Sequence, residues 1–177
     1  QKGERGGGNA YLRKSGFLFP SVGNSQRGGL QVSAPYYLDL APNYDLTVEP
    51  TGYARRGVDL FGNLRYLTQS SRGSLEGNYL PDDRLVGSNR SRLQLTSSTE
   101  LPRDWQLRIN AQNVSDASYF EDFAQGADGT SVAFLPRQLA LSYRDATWRS
   151  GLVVRNYQTI DSSLAAADRP YTELPRL

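Results

Sequence analysis

The residues of this chain whose types could do chemistry are carboxylates and guanidiniums. Asp82 and Asp83 are adjacent, and Glu121, Asp122 and Asp128 gather in a second polar stretch. Clustered carboxylates suggest a divalent cation or acid–base work, but neither group has the ligand spacing of an EF-hand loop. Carboxylates in segments rich in Asp, Gly and Ser ordinarily face solvent, so neither a metal site nor a catalytic residue is assigned to them. The chain contains no His and no Cys. Imidazole and thiolate zinc sites, Cys–His pairs and the Ser-His-Asp triad are therefore excluded within it. The reading is that the chain is not an enzyme and that no cofactor is implied. Arg65, Arg92, Arg108 and Arg155 recur inside extended stretches, where a guanidinium can grip a phosphate through two parallel bonds or simply be solvated.

The elements that must carry these groups are strands. Eleven tyrosines, 17 glycines and 9 prolines in 177 residues favour extended segments punctuated by turns. In residues 58–68, Val58, Leu60, Leu64 and Tyr66 share one face while Asp59, Asn63 and Arg65 share the other. In residues 105–113, Trp105, Leu107, Ile109 and Ala111 oppose Gln106, Arg108, Asn110 and Gln112. The alternation recurs at 74–80, 91–98, 131–144 and 147–157, which gives an all-β antiparallel fold of about nine or ten strands, many longer than the usual ~5 to 6 residues. Residues 1–10 are polar and Gly-rich, a flexible lead-in or a remnant foreign to the native chain, and 11–177 form one body of strands.

Only 38% of the residues are hydrophobic and the mean hydropathy is −0.57, too little for a generous dry core. No apolar run is long enough for a membrane-spanning helix, but a membrane-spanning strand needs only about 9 to 11 alternating residues. Short connections near 40–43, 70–73, 101–104 and 144–147 contrast with longer ones at 79–89 and 115–130. Tyr44, Tyr66, Trp105, Tyr143 and Trp148 all lie close to the short turns, as interfacial aromatics would. The combination points to transmembrane β-strands that close as a small barrel or form one arc of a larger one, with Arg65, Arg92, Arg108 and Arg155 lining a wet lumen. The net charge of +2, with no basic stripe, gives no reason to invoke nucleic acid.

Several stretches in order, RKSGFLFPSVG (13–23), APYYLDLAPNYDLTVEP (34–50), RRGVDLFGNLRYL (55–67), NYLPDD (78–83), VSDASYFEDF (114–123) and RPYTELPRL (169–177), resemble the LptD family of lipopolysaccharide-assembly proteins of the bacterial outer membrane. The resemblance implies the first portion of a very large barrel that inserts lipopolysaccharide into the outer leaflet. It further implies a plug lipoprotein, LptE, a periplasmic bridge that delivers the lipid, and contact with outer-membrane lipids. By motif position it makes Pro20 and Pro35 the residues that weaken a lateral gate between the first and last strands. Proline has no N–H, so each removes one potential ladder bond. Prolines that merely mark edges or bulges are the plainer alternative, and Pro42 in the turn APN is read as structural.

Two other functions remain open on the residues alone. A soluble or surface carbohydrate-binding β-domain would use the tyrosines as sugar platforms. An outer-membrane lipid-modifying enzyme would need catalytic groups from outside this chain.

Overall fold

A computed structural model describes residues 13–123, 134–160 and 173–176, the last four for their backbone alone. Its strands are β1 (Gly16–Phe17), β2 (Ser21–Ser25), β3 (Gly29–Ser33), β4 (Tyr36–Ala41), β5 (Tyr44–Tyr53), β6 (Gly57–Leu67), β7 (Ser71–Asp83), β8 (Ser88–Leu101), β9 (Trp105–Val114), β10 (Phe134–Arg144), β11 (Arg149–Thr159) and β12 (Glu173–Arg176). One short helix, α1 (Tyr119–Phe123), lies between β9 and β10. All twelve strands belong to one antiparallel sheet, which runs from β1 and β4 in chain order to β12, with β3 on β5 and β2 on β3. Because β1 with β2 and β3 with β4 are the halves of two interrupted strands, the sheet has ten rows, and the all-β expectation of nine or ten strands holds. The sheet is open, with β1 and β2 at one edge and β12 at the other.

Register makes the two faces of the sheet chemically opposite. Leu46, Leu64, Leu75, Leu95 and Ala111 stand side by side across β5 to β9. One residue along, Thr47, Asn63, Glu76, Gln94 and Gln112 form the neighbouring row on the other face. The apolar face continues as Ile109, Leu139 and Val154, and as Leu107, Leu141 and Leu152. A slip of one residue would put every leucine on the polar face, so the alternation itself specifies the pairing. No second layer covers the apolar face among the described residues: Val58, Leu60, Leu75, Leu93 and Leu139 are all exposed. The buried apolar side chains gather instead at one end, where Val114, Tyr119, Leu135 and Ile160 pack with Phe120 and Phe123.

The short turns follow from local chemistry. Pro42 and Asn43 make a two-residue turn between Ala41 and Tyr44. Asp145 caps the turn into β11 by accepting from the Thr147 and Trp148 amides at 2.7 and 2.6 Å, and from the Tyr143 hydroxyl at 2.6 Å. The Tyr143 bond, then those two amides, hold its carboxyl below the usual range.

Two expected loops differ. Residues 79–89 were expected to connect strands, but β7 runs through Asp83 and β8 restarts at Ser88, with a bulge between Leu80 and Asp83 that absorbs Pro81. Within 115–130, expected as irregular, residues 119–123 form α1. The expected strand 147–157 starts later, β11 beginning at Arg149, and of the expected strand 131–144 residues 131–133 lie outside the described residues, as do 1–10 and Asp128.

Candidate functional site

The first two rows of the sheet are interrupted at the prolines. Leu18, Phe19 and Pro20 separate β1 from β2, while only Ala34 and Pro35 separate β3 from β4, so the pairing slips by one residue there. The Leu18 amide donates to the Pro35 carbonyl at 2.9 Å, and Pro35 has no N–H to return to Leu18. On its other side the second row keeps register with β5, yet a similar loss occurs: the Ala34 amide donates to the Pro50 carbonyl at 3.2 Å, and Pro50 cannot reciprocate. Pro20 is the last residue of the three-residue interruption in the first row, immediately before the Ser21–Ser33 pair. Side chains around the break are bare, with Phe19 96% exposed and Phe17 and Val22 also exposed. Only Pro50 escaped the sequence reading, although it ends the quoted stretch LTVEP and the same argument about a missing donor applies to it.

Tyr44 lies opposite Tyr66, and Trp105 opposite Tyr143, on the apolar face at the short-turn end. The Trp105 and Tyr143 rings approach to 5.2 Å between centroids. Trp148 sits in the turn before β11 and is exposed. Tyr66 covers Gly73, where a Cβ would stand 2.3 Å from the Thr96 carbonyl oxygen and 2.7 Å from the tyrosine hydroxyl, and that hydroxyl bonds Ser97 Oγ at 2.7 Å. A glycine at this point is therefore what lets the ring lie flat on the sheet.

The four arginines singled out by sequence all fall on the polar face but do not converge. Arg65 and Arg155 share a row with β7 to β10 between them. Arg65 is engaged: its Nε and Nη2 donate to the two Asp45 oxygens at 2.7 and 2.9 Å, and Arg13 and Tyr37 reach the same carboxylate. Arg155 Nε donates to Gln138 Oε1 at 3.2 Å, and Arg92 to Gln94 Oε1. Arg108 stands between Ser98 and Ala140.

The densest polar arrangement is one that composition had put in solvent. Asp83, expected as an exposed loop carboxylate, is fully buried, and so are Arg56 (2% exposed) and Arg90 (1%). Arg56, just before β6, donates from Nη1 to Asp83 at 2.5 Å and pairs through Nη2 with Asp122 at 3.0 Å. Arg90, near the start of β8, spans Asp116 with Nε at 3.0 Å and Nη2 at 2.6 Å, while its Nη1 donates to Asp122. The guanidinium of Arg90 also stacks on the Phe123 ring at 4.9 Å and lies 5.5 Å from that of Tyr119. Burying such charges is expensive unless each is paired, and here the pairing is near complete. Sequence hid this cluster because its members come from residues 56, 83, 90, 116 and 122, which only the sheet register brings together.

Burial is the largest single influence and would raise the Asp116 and Asp122 carboxyls, but Arg90 together with Ser115 and Ser118 on Asp116, and with Arg56 and Arg27 on Asp122, outweighs it and holds both below the ordinary range. A carboxylate held low stabilises the fold above its unfolded value, near ~3.9, and loses that contribution as the pH falls through its lower folded value. Docking of α1 is therefore expected to be independent of pH from neutrality down to about 5 and to weaken only below about 4. Limited proteolysis within 115–123 across a pH series checks this, and loosening between pH 7 and 5 would contradict it. Among the described residues, no three carboxylate, His or Cys side chains gather to hold a metal ion. The cluster joins β7, β8 and the turn before β6 to α1 and the segment before it.

Residues 88–177 match the family LptD, LPS transport system D. Similarity to curated proteins extends over 93% of the chain. The LPS-assembly protein LptD of Legionella pneumophila (strain Lens) is 37% identical over 183 residues, those of Bordetella avium over 166 and Nitrosomonas eutropha over 169 at the same identity. The chain spans only about a fifth of these relatives, between 21% and 23% of their length. A family match across its second half, relatives of one name along nearly all of it and an open sheet of long two-faced strands agree, and the chain belongs to the LptD family.

Proposed function

We propose that this chain is the opening portion of a transmembrane β-barrel in the bacterial outer membrane, and that the complete barrel inserts lipopolysaccharide into the outer leaflet through a lateral gate at its first strand. The observation that carries the proposal is the broken ladder beside the open edge: Pro35 and Pro50 each leave a ladder bond unreciprocated, and Pro20 lies in the interruption of the edge row itself. In hydrocarbon an unsatisfied backbone donor costs several kcal/mol. A seam built with residues that have no donor is both weaker when closed and less costly to open.

The uncovered apolar face supports the same reading, because lipid is the solvent that would cover it. Tyr44, Tyr66, Trp105, Tyr143 and Trp148 then mark the interfacial level at the short-turn end. Arg65, Arg92, Arg108 and Arg155 face the wet lumen, where the sugar portion of the lipid and the plug lipoprotein LptE would be accommodated. Lipid arrives from a periplasmic bridge, and no covalent step is required. Conditional depletion of the full-length protein tests the assignment: lipopolysaccharide at the cell surface is expected to fall as the protein is lost. Unchanged surface lipopolysaccharide would refute it and favour the carbohydrate-binding reading.

A further inference from the structure

The far half of the first hairpin, β2 and β3, joins the sheet through β3 alone, by a short ladder flanked by the Ala34–Pro50 and Ala54–Leu30 backbone bonds. Its ladder to β5 is three residue pairs long, Gln31 to Ser33 against Thr51 to Tyr53, and the breaks at Leu18–Pro20 and Ala34–Pro35 separate it from β1 and β4. Its turn is held by contacts outside the ladder. Arg55 Nη1 donates to the Gln26 carbonyl at 2.7 Å, and the Arg55 amide to the Gly28 carbonyl at 3.2 Å. Arg27 Nη1 donates to Asp122 Oδ1 at 3.0 Å and lies 3.6 Å from Glu121 Oε2, both on α1 and some 95 residues further along the chain. Asp122 is at the same time gripped by the buried Arg56 and Arg90.

We infer that Arg27 is a positioning residue of the lipid-release step: it pins the far half of the first hairpin to α1, so that the hairpin swings from the sheet only after Arg27 leaves Asp122. This rests on reading the first row as the exit seam. Exposure separates the roles of the ion pairs. The Arg56–Asp83 side chains are 3% and 0% exposed, and removing either would leave a buried charge alone. Arg27 is 52% exposed against 13% for Asp122, so water can replace its partner and the contact can open and close. The docking of α1 thereby sets the freedom of the prolyl hairpin.

The test is amide hydrogen exchange on the full-length protein in outer-membrane vesicles, comparing the parent with Arg27→Gln and Arg27→Lys. With Arg27→Gln, exchange across residues 22–32 is expected to rise roughly two- to fivefold, the range a partly exposed ion pair supports. Residues 80–92 should be unchanged, Arg27→Lys should stay near the parent, and cells carrying Arg27→Gln should become more sensitive to large antibiotics at equal protein level. Unaltered exchange at 22–32 in Arg27→Gln, or an equal rise at 80–92, would overturn the pin. If exchange rises at 22–32 as expected while antibiotic sensitivity stays that of the parent, the pin is retained and the reading of the first row as the exit seam fails alone.

Discussion

Arg90→Ala is expected to release α1 and the chain around it from the sheet while leaving the long strands paired. Removing this side chain deprives Asp116 of its bidentate partner and Asp122 of one of its three guanidiniums, and it takes away the cation stacked on Phe123. Asp116 is 32% exposed and keeps Ser115 and Ser118, and Asp122 keeps Arg27 and Arg56, so the loss is that of charged hydrogen bonds, about 1.5–3 kcal/mol, and not that of a fully isolated buried charge. That is enough to undock a segment whose apolar anchor is the small cluster of Val114, Tyr119, Leu135 and Ile160. Arg90→Lys should recover little, since a point charge cannot span both Asp116 oxygens as the guanidinium fork does. Protease sensitivity within 115–123 reads the effect, and a segment that stays protected in Arg90→Ala would contradict it.

How much of this was legible beforehand depended on sequence distance. The two faces of β6 and β9 were readable because strand alternation has a period of two and needs no partner to be seen: Leu64 and Arg65 face opposite ways whatever lies beside them. The interruption at Pro35 was readable for the same local reason, a residue without a donor inside an alternating run, whereas Pro20 was singled out by the family resemblance. The bulge that carries β7 through Pro81 to Asp83 was not, because Pro-Asp-Asp has the composition of a turn. Nor was the burial of Asp83 and Asp122, since a carboxylate in a polar stretch looks solvated until the sheet brings Arg56 and Arg90 beside it. The arginines chosen as lumen residues do lie on the polar face, but sequence could not say that Arg65 is already committed to Asp45.

Pro20→Ala combined with Pro35→Ala, in the full-length protein, is expected to reduce lipopolysaccharide export. An alanine at 35 restores a donor facing the Leu18 carbonyl, and one at 20 adds a backbone donor within the interruption of the first row. The one recovered ladder bond with a partner in place, from residue 35 to the Leu18 carbonyl, at about 1 kcal/mol shifts the opening of the first row roughly fivefold toward the paired form. Pro42→Ala is the control, because Pro42 lies in the two-residue turn after β4 and outside the interrupted pairing. Export in the double variant equal to that of the parent, with the same sensitivity to large antibiotics, would remove the gate from the account.

The most direct measurement is single-cysteine labelling along β9 of the full-length protein in intact outer membranes, started from a version whose own cysteines, if any, have been replaced. Cysteines at Gln106, Arg108 and Asn110 should react with a charged, water-soluble thiol reagent, and those at Leu107, Ile109 and Ala111 only with a lipid-soluble one. Strict alternation between the two reagents is the predicted result. Protection of Leu107, Ile109 and Ala111 from both, in a protein that stays dispersed without detergent, would mean that these side chains pack in a dry interior and would contradict the account.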